Sequence, residues 1–146
     1  MNKHFINDSR LIINSLGKLN NKFSGKKILI TGAGGFLGKQ FLHYFINLNK
    51  SAILNKPCIV YAIEKNITKY SDYFVSNKIR FKYEDITKEN KFNTIDYIIH
   101  AASIASPTYY RMYPIKTMDA NVIGLRNLLE HSKRKIVKGF LFFSSS

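Results

Sequence analysis

Residues 31–38 read Thr-Gly-Ala-Gly-Gly-Phe-Leu-Gly. They directly follow an apolar run, Ile28, Leu29 and Ile30, and directly precede Phe36, Leu37, Phe41, Leu42, Phe45 and Leu48, which recur at helical spacing through residue 48. A strand from Lys27 to Thr31, a tight glycine turn and a helix are therefore expected in that order. The turn has a chemical use. Small residues let backbone amides approach a pyrophosphate, and the helix that follows offers unpaired N–H groups at its positive dipole end. Gly32 and Gly35 are the expected close-approach positions, the amides at Phe36 and Leu37 belong to the first helical turn, and Gly38 allows helix and strand to pack closely.

A second apolar run, Cys58 to Ile63, follows Pro57 and ends at Glu64. An acid at that strand end can accept hydrogen bonds from both ribose hydroxyls of an adenosine half and would repel a 2′-phosphate, so the cofactor expected is NAD. The separation from Gly32 to Glu64 exceeds the usual ~20 residues, and the excess is assigned to a polar insertion over residues 47–56. Further strands are expected at Ile79 to Tyr83, Tyr97 to Ile99 and Phe140 to Phe143, with a long helical pattern before the last. Residues 65–78 read as an exposed loop with one helical turn. Strands alternating with helices imply an α/β fold: a Rossmann-type doubly wound parallel sheet, truncated after its fifth strand.

Residues 1–24 carry Ile6, Leu11, Ile12, Leu16, Leu19 and Phe23 at loosely helical spacing, with Asp8 or Ser9 as candidate N-cap, and read as a helical extension packed outside the sheet. Residues 25–146 form the expected dinucleotide-binding domain. The single cysteine, Cys58, excludes a disulfide framework and reads as a buried, inert thiol. No apolar run reaches the ~18 residues of a membrane span, so a cytoplasmic location without a membrane partner is expected. The net charge of +14 invites a nucleic-acid reading. Against it, the basic residues are scattered, and the one short run, Lys133 to Lys135, suits the negative end of a helix dipole.

The glycine loop, Asp85-Ile86 after the third strand, His100-Ala101-Ala102-Ser103 after the fourth and Asn121-Val122-Ile123-Gly124 in the next helix together resemble the extended short-chain dehydrogenase/reductase family, in its nucleotide-sugar epimerase, dehydratase and decarboxylase branch. Residues 105–130 are most similar to UDP-glucuronate decarboxylases and dTDP-glucose 4,6-dehydratases. The resemblance implies that Asp85 and Ile86 contact the adenine, that Ala101, Ala102 and Ser103 line the cofactor, and that Lys116 and Thr117 lie near sugar and cofactor. Ser146 would carry the hydroxyl that bonds the reacting sugar oxygen, and His100 is read as structural. It also implies a UDP- or dTDP-linked sugar as substrate and a homodimer for the full-length protein.

In enzymes of that kind NAD takes a hydride from C4 of the sugar while a tyrosine, with a lysine four residues later, removes the hydroxyl proton; the 4-keto intermediate then permits decarboxylation, dehydration or epimerisation. The chain stops at Ser146, before the place of that pair, and Tyr109, Tyr110 and Tyr113 come too early. An N-terminal piece that holds the cofactor without turnover is therefore expected. The rival readings are a simple NAD(P)-dependent carbonyl reductase and a noncatalytic dinucleotide sensor.

Overall fold

β1 (Lys27–Thr31) is the centre of the molecule, and its composition explains why: Ile28, Leu29 and Ile30 are fully buried, so the strand needs cover on both faces. In a computed structural model, which describes residues 3–65, 78–89 and 92–144, it receives that cover from two apolar clusters. Ile28 and Ile30 face α2 (Phe36–Lys50), meeting Leu42, Phe45 and Leu48. Leu29 points the other way, with Ile63, Ile98 and Leu128, as the two-residue period of a strand requires.

β2 (Ile59–Glu64), β3 (Ile79–Tyr83), β4 (Tyr97–His100) and β5 (Gly139–Phe142) complete one five-stranded sheet of order β3-β2-β1-β4-β5. Every pairing is parallel. The chain runs outward from β1 to β3 and then returns to the other side of β1. The carboxyl ends of β1 and β4 thus flank a crevice where the winding reverses.

Boundaries shifted by a residue where a side chain competes for the backbone. Cys58 was expected to open β2 but precedes it, because Asn49 takes both of its main-chain groups, donating Nδ2 to its carbonyl and accepting its N–H, each at 2.9 Å. β4 continues to His100, paired with Thr31. β5 starts at Gly139 rather than Phe140, where the Tyr97 ring lies 3.1 Å from the place of a Cβ.

The N-terminal extension forms α1 (Lys3–Leu16) and a 3₁₀ segment (Gly17–Phe23) packed on α2. Neither Asp8 nor Ser9 caps it. Both lie inside the helix, and the Ser9 hydroxyl donates to the Phe5 carbonyl four residues back at 2.6 Å. The extension is fastened at Asn20, fully buried, whose amide donates to the carbonyls of Ile13 and Gly17 and whose oxygen accepts the Tyr44 hydroxyl at 2.7 Å.

The long helical pattern after β4 is broken into α3 (Pro107–Met112), α4 (Pro114–Asp119), a π turn (Ala120–Gly124) and α5 (Leu125–Lys135). Pro114 has no N–H to continue α3, and it starts α4 instead. The expected helical turn within residues 65–78 falls almost wholly outside the described residues.

Candidate functional site

At the carboxyl end of β1 the glycines do what only glycine can do there. Gly32 has φ +68°, and a Cβ on it would lie 2.6 Å from the carbonyl oxygen of Ala101. The Gly35 N–H closes the turn on the Gly32 carbonyl at 3.0 Å, and Gly35 caps α2. At Gly38 a Cβ would meet Ala33 Cα at 2.6 Å, so the first turn of α2 rests directly on the loop. The side chains of Phe36 and Leu37 are exposed, at 73% and 40%. What these two residues can offer an anion is their backbone N–H groups, in the first turn of α2 where no intrahelical acceptor exists.

Glu64 stands across the crevice. Its Oε2 accepts the Gly34 N–H at 2.8 Å and its Oε1 accepts the Lys65 N–H at 2.9 Å. A carboxylate oxygen has two acceptor sites, so one remains on each oxygen, the arrangement that suits two vicinal hydroxyls. Beyond it, Asp85 Oδ1 accepts the Thr87 amide at 3.0 Å and the Thr87 hydroxyl at 2.8 Å, while Oδ2 pairs with Lys65 Nζ at 2.6 Å. Burial opposes the charge on Asp85, but these three partners outweigh it and hold its carboxyl at about 2. Ile86 is buried against Gly124, where a Cβ would meet its Cδ1 at 2.6 Å.

A cavity of about 510 Å³ is lined by Gly32, Gly34 and Gly35 from the loop, by Glu64, Asp85 and Ile86, and by Ala101, Ala102, Ser103 and Lys116. Its mixture of apolar wall and few polar groups is that of a small-molecule site. Thr117 is not in that lining; its hydroxyl is donated to the Tyr113 carbonyl at 2.9 Å. Ser146 lies outside the described residues. His100, at 1% exposure, lies under the loop with Nδ1 2.7 Å from the Thr31 hydroxyl; burial pushes its imidazole down to about 4.

A larger cavity, about 680 Å³, lies between α1, α2 and the β4–β5 face, walled almost entirely by apolar side chains such as Leu16, Phe41, Phe45 and Phe143. Among the described residues its charged and amide lining is limited to Asp8 and Gln40. The spacing Tyr-x-x-x-Lys does occur, at Tyr61 and Lys65, but along β2 and its end. An extended strand advances ~3.3 Å per residue, so these two residues do not share the single turn of helix on which a catalytic pair of that spacing would sit.

Three contributors were not foreseen. Lys65 reaches the site through its ion pair with Asp85, and Glu84 lines the same wall. Asn127 on α5 donates to the carbonyls of Ile86 and Lys88, at 3.0 and 3.2 Å, and so braces the turn that carries Asp85. Lys65 was detectable as a cation next to the expected ribose acid; Asn127, about forty residues away in sequence, left no local signal.

The residues fit a dinucleotide. A glycine cradle that a Cβ would fill faces a helix start, and a pre-oriented carboxylate with free acceptor sites stands beside it. The sequence profile of the "NAD dependent epimerase/dehydratase family" matches residues 28–146. UDP-glucuronic acid decarboxylase 6 of Arabidopsis thaliana is 33% identical over 117 residues, covering 79% of this chain and 33% of the relative. A dTDP-glucose 4,6-dehydratase of Salmonella typhimurium is 27% identical over 114 residues, covering 74% and 31%. Among solved structures, the L-threonine dehydrogenase of Clostridium difficile superposes with a TM-score of 0.61 at 30% identity, covering 81% of this chain and 36% of its own. The chain spans about a third of the length of the curated relatives it matches. NAD, the cofactor expected from Glu64, is the one the family's description carries, and the doubly wound fold and the resemblance read from the motifs hold as well. The chain belongs to the NAD-dependent epimerase/dehydratase family.

Proposed function

We propose that this chain is the cofactor-holding part of a nucleotide-sugar-modifying enzyme. The observation that carries the reading is the Glu64 carboxylate, fixed by two backbone amides with one acceptor site left on each oxygen, opposite the Gly32–Gly38 loop. In this reading the loop amides and the start of α2 hold the pyrophosphate, Glu64 the adenosine ribose, and Asp85 and Ile86 the adenine. Ala101, Ala102 and Ser103 form the wall toward the nicotinamide half, and Lys116 and Thr117 stand where that half meets the sugar. When bound, NAD accepts a hydride and can return it. The substrate class proposed is a UDP- or dTDP-linked sugar, supported by the decarboxylase and dehydratase among the relatives. Ser146 keeps the role of contacting the reacting oxygen as part of this proposal.

The test is a titration of the chain with NADH, followed by nicotinamide fluorescence. Saturable binding, displaced by NAD and weakened about ten- to a hundredfold by Glu64→Gln through loss of charge-assisted hydrogen bonds, supports the reading. Binding that ignores Glu64→Gln, or no saturable binding, overturns it.

A second reading, net dehydrogenation of a small alcohol, is favoured by the 30% identical L-threonine dehydrogenase. The two separate in a longer form of the protein. Accumulation of NADH during turnover marks the dehydrogenase, and its absence with a changed sugar product marks the nucleotide-sugar enzyme. The full-length protein is further proposed to dimerise through the outer face of α4 and the π turn, where Ile115, Met118 and Val122 are 64%, 55% and 59% exposed. Met118→Lys should then reduce its mass in sedimentation to that of a monomer; an unchanged mass refutes this interface.

A further inference from the structure

The adenosine end of the cavity differs in charge from the rest of the chain. Although the whole sequence carries a net +14, this end places three carboxylates, Glu64, Glu84 and Asp85, around Lys65, with Glu84 paired on its outer side to Lys82 at 3.5 Å. Lys65 directly follows Glu64 in sequence. A cation at that position, beside the ribose hydroxyls, is the group that would receive a 2′-phosphate. Here its Nζ is turned to Asp85 at 2.6 Å.

Asp85 is a firm anchor. Its other oxygen is held by the amide and hydroxyl of Thr87, and its own carbonyl accepts the Lys88 N–H at 3.0 Å. Asn127 holds the same turn from the α5 side through the carbonyls of Ile86 and Lys88. The ammonium therefore has a fixed, charged, partly buried partner rather than a mobile one.

Building on the dinucleotide reading above, we propose that Lys65 and Asp85 form a strap at the adenosine end of the cavity that withholds the lysine from the ribose 2′ position. Asp85 is thus a specificity-determining residue: the choice of NAD over its 2′-phosphorylated form rests on it as well as on Glu64. With the strap closed, a 2′-phosphate meets the Glu64 carboxylate while Lys65 is held by Asp85 and Lys82 by Glu84. With the strap cut on the Asp85 side, Lys65 is free to pair with that phosphate, while the neutral Asn retains an oxygen to accept the Thr87 bonds.

The experiment measures dissociation constants for NADH and NADPH side by side by nicotinamide fluorescence. Three variants are compared with the wild type: Asp85→Asn, Lys65→Met and the double variant. Expected are a wild-type preference for NADH, a shift of the NADPH/NADH ratio toward NADPH of at least about tenfold in Asp85→Asn, and return to the wild-type ratio in the double variant. Lys65→Met alone should leave the ratio within about twofold, because the lysine is already occupied; this arm can overturn the strap even if Asp85→Asn does not fold. A purely structural role for Asp85 would weaken both cofactors equally and leave the ratio unmoved, which overturns the strap. A loss of NADPH binding in Lys65→Met would show that the lysine already reads the phosphate, and overturns it too. If the wild type binds NADH and only the ratio fails to respond, the strap falls and the dinucleotide reading stands; if the wild type binds neither, both fall.

Discussion

Acid should loosen this protein through His100 before it reaches most of the carboxylates. The imidazole is 1% exposed between β1 and β4, stacked on Phe142 with ring centroids 5.3 Å apart. Nδ1 meets the Thr31 hydroxyl, and Nε2 has no hydrogen-bond partner among the described residues. Burial lowers its pKa from the usual 6.5 to about 4. The folded state holds it neutral while the unfolded chain does not, so the unfolded state binds more protons between these values. Stability is therefore full above pH 6.5 and falls as pH drops toward 4. The gap corresponds to roughly 3 kcal/mol at most. His43 and His131 are also lowered by burial and add to the slope, so the decisive quantity is a difference between two proteins. His100→Asn keeps a polar atom near Thr31 and removes the titration. Urea unfolding followed by circular dichroism at pH 7, 6, 5 and 4 should give the wild type the steeper loss, by about 2–3 kcal/mol over the window. Equal slopes in the two proteins would refute the argument, because they would mean that the imidazole is solvated or paired when protonated.

Three shorter predictions follow from the same geometry. Gly32→Ala must accept φ +68° and a Cβ 2.6 Å from the Ala101 carbonyl oxygen, so a loss of about 2–4 kcal/mol in urea unfolding is expected together with loss of NADH binding; wild-type behaviour in both refutes the cradle. Asn20→Ala strips the Tyr44 hydroxyl and the Ile13 and Gly17 carbonyls of their partner, and should cost about 2–3 kcal/mol while exposing residues 1–23 to limited proteolysis. Cys58 is fully buried, and burial pushes its thiol up to about 11 despite the Asn49 hydrogen bond, so it should react with a thiol reagent only as fast as the chain unfolds; rapid labelling of the native protein refutes this.

The legibility of the fold varied with how local its causes are. β1 and β3 were readable to the residue because an apolar run between polar or glycine boundaries is sufficient for a strand in a covered sheet. β2 and β5 slipped by one residue because their starts are met by residues outside the strand itself, Asn49 on the preceding helix for Cys58 and Tyr97 on the neighbouring strand for Gly139. The N-cap expected at Asp8 or Ser9 failed for a related reason. A serine favours a helix start in isolation, but here the apolar face of α1 on α2 sets the extent of the helix and leaves Ser9 in its interior.

By itself the sequence determined that a strand, a glycine turn, a helix and an acid-tipped strand occur in order, since each depends on φ/ψ preference and apolar period within a few residues. It also showed the cofactor class, because steric room and an acidic side chain are properties of residue type. Only the tertiary structure decided what those parts do together. It set the register that brings Glu64 to the Gly34 amide and Ala101 against Gly32, and it turned Lys65 toward Asp85. It also buried His100 without a partner for Nε2 among the described residues. Distances between residues twenty to seventy positions apart follow from sheet order and twist, and from which face each helix covers, so no stretch of sequence contains them.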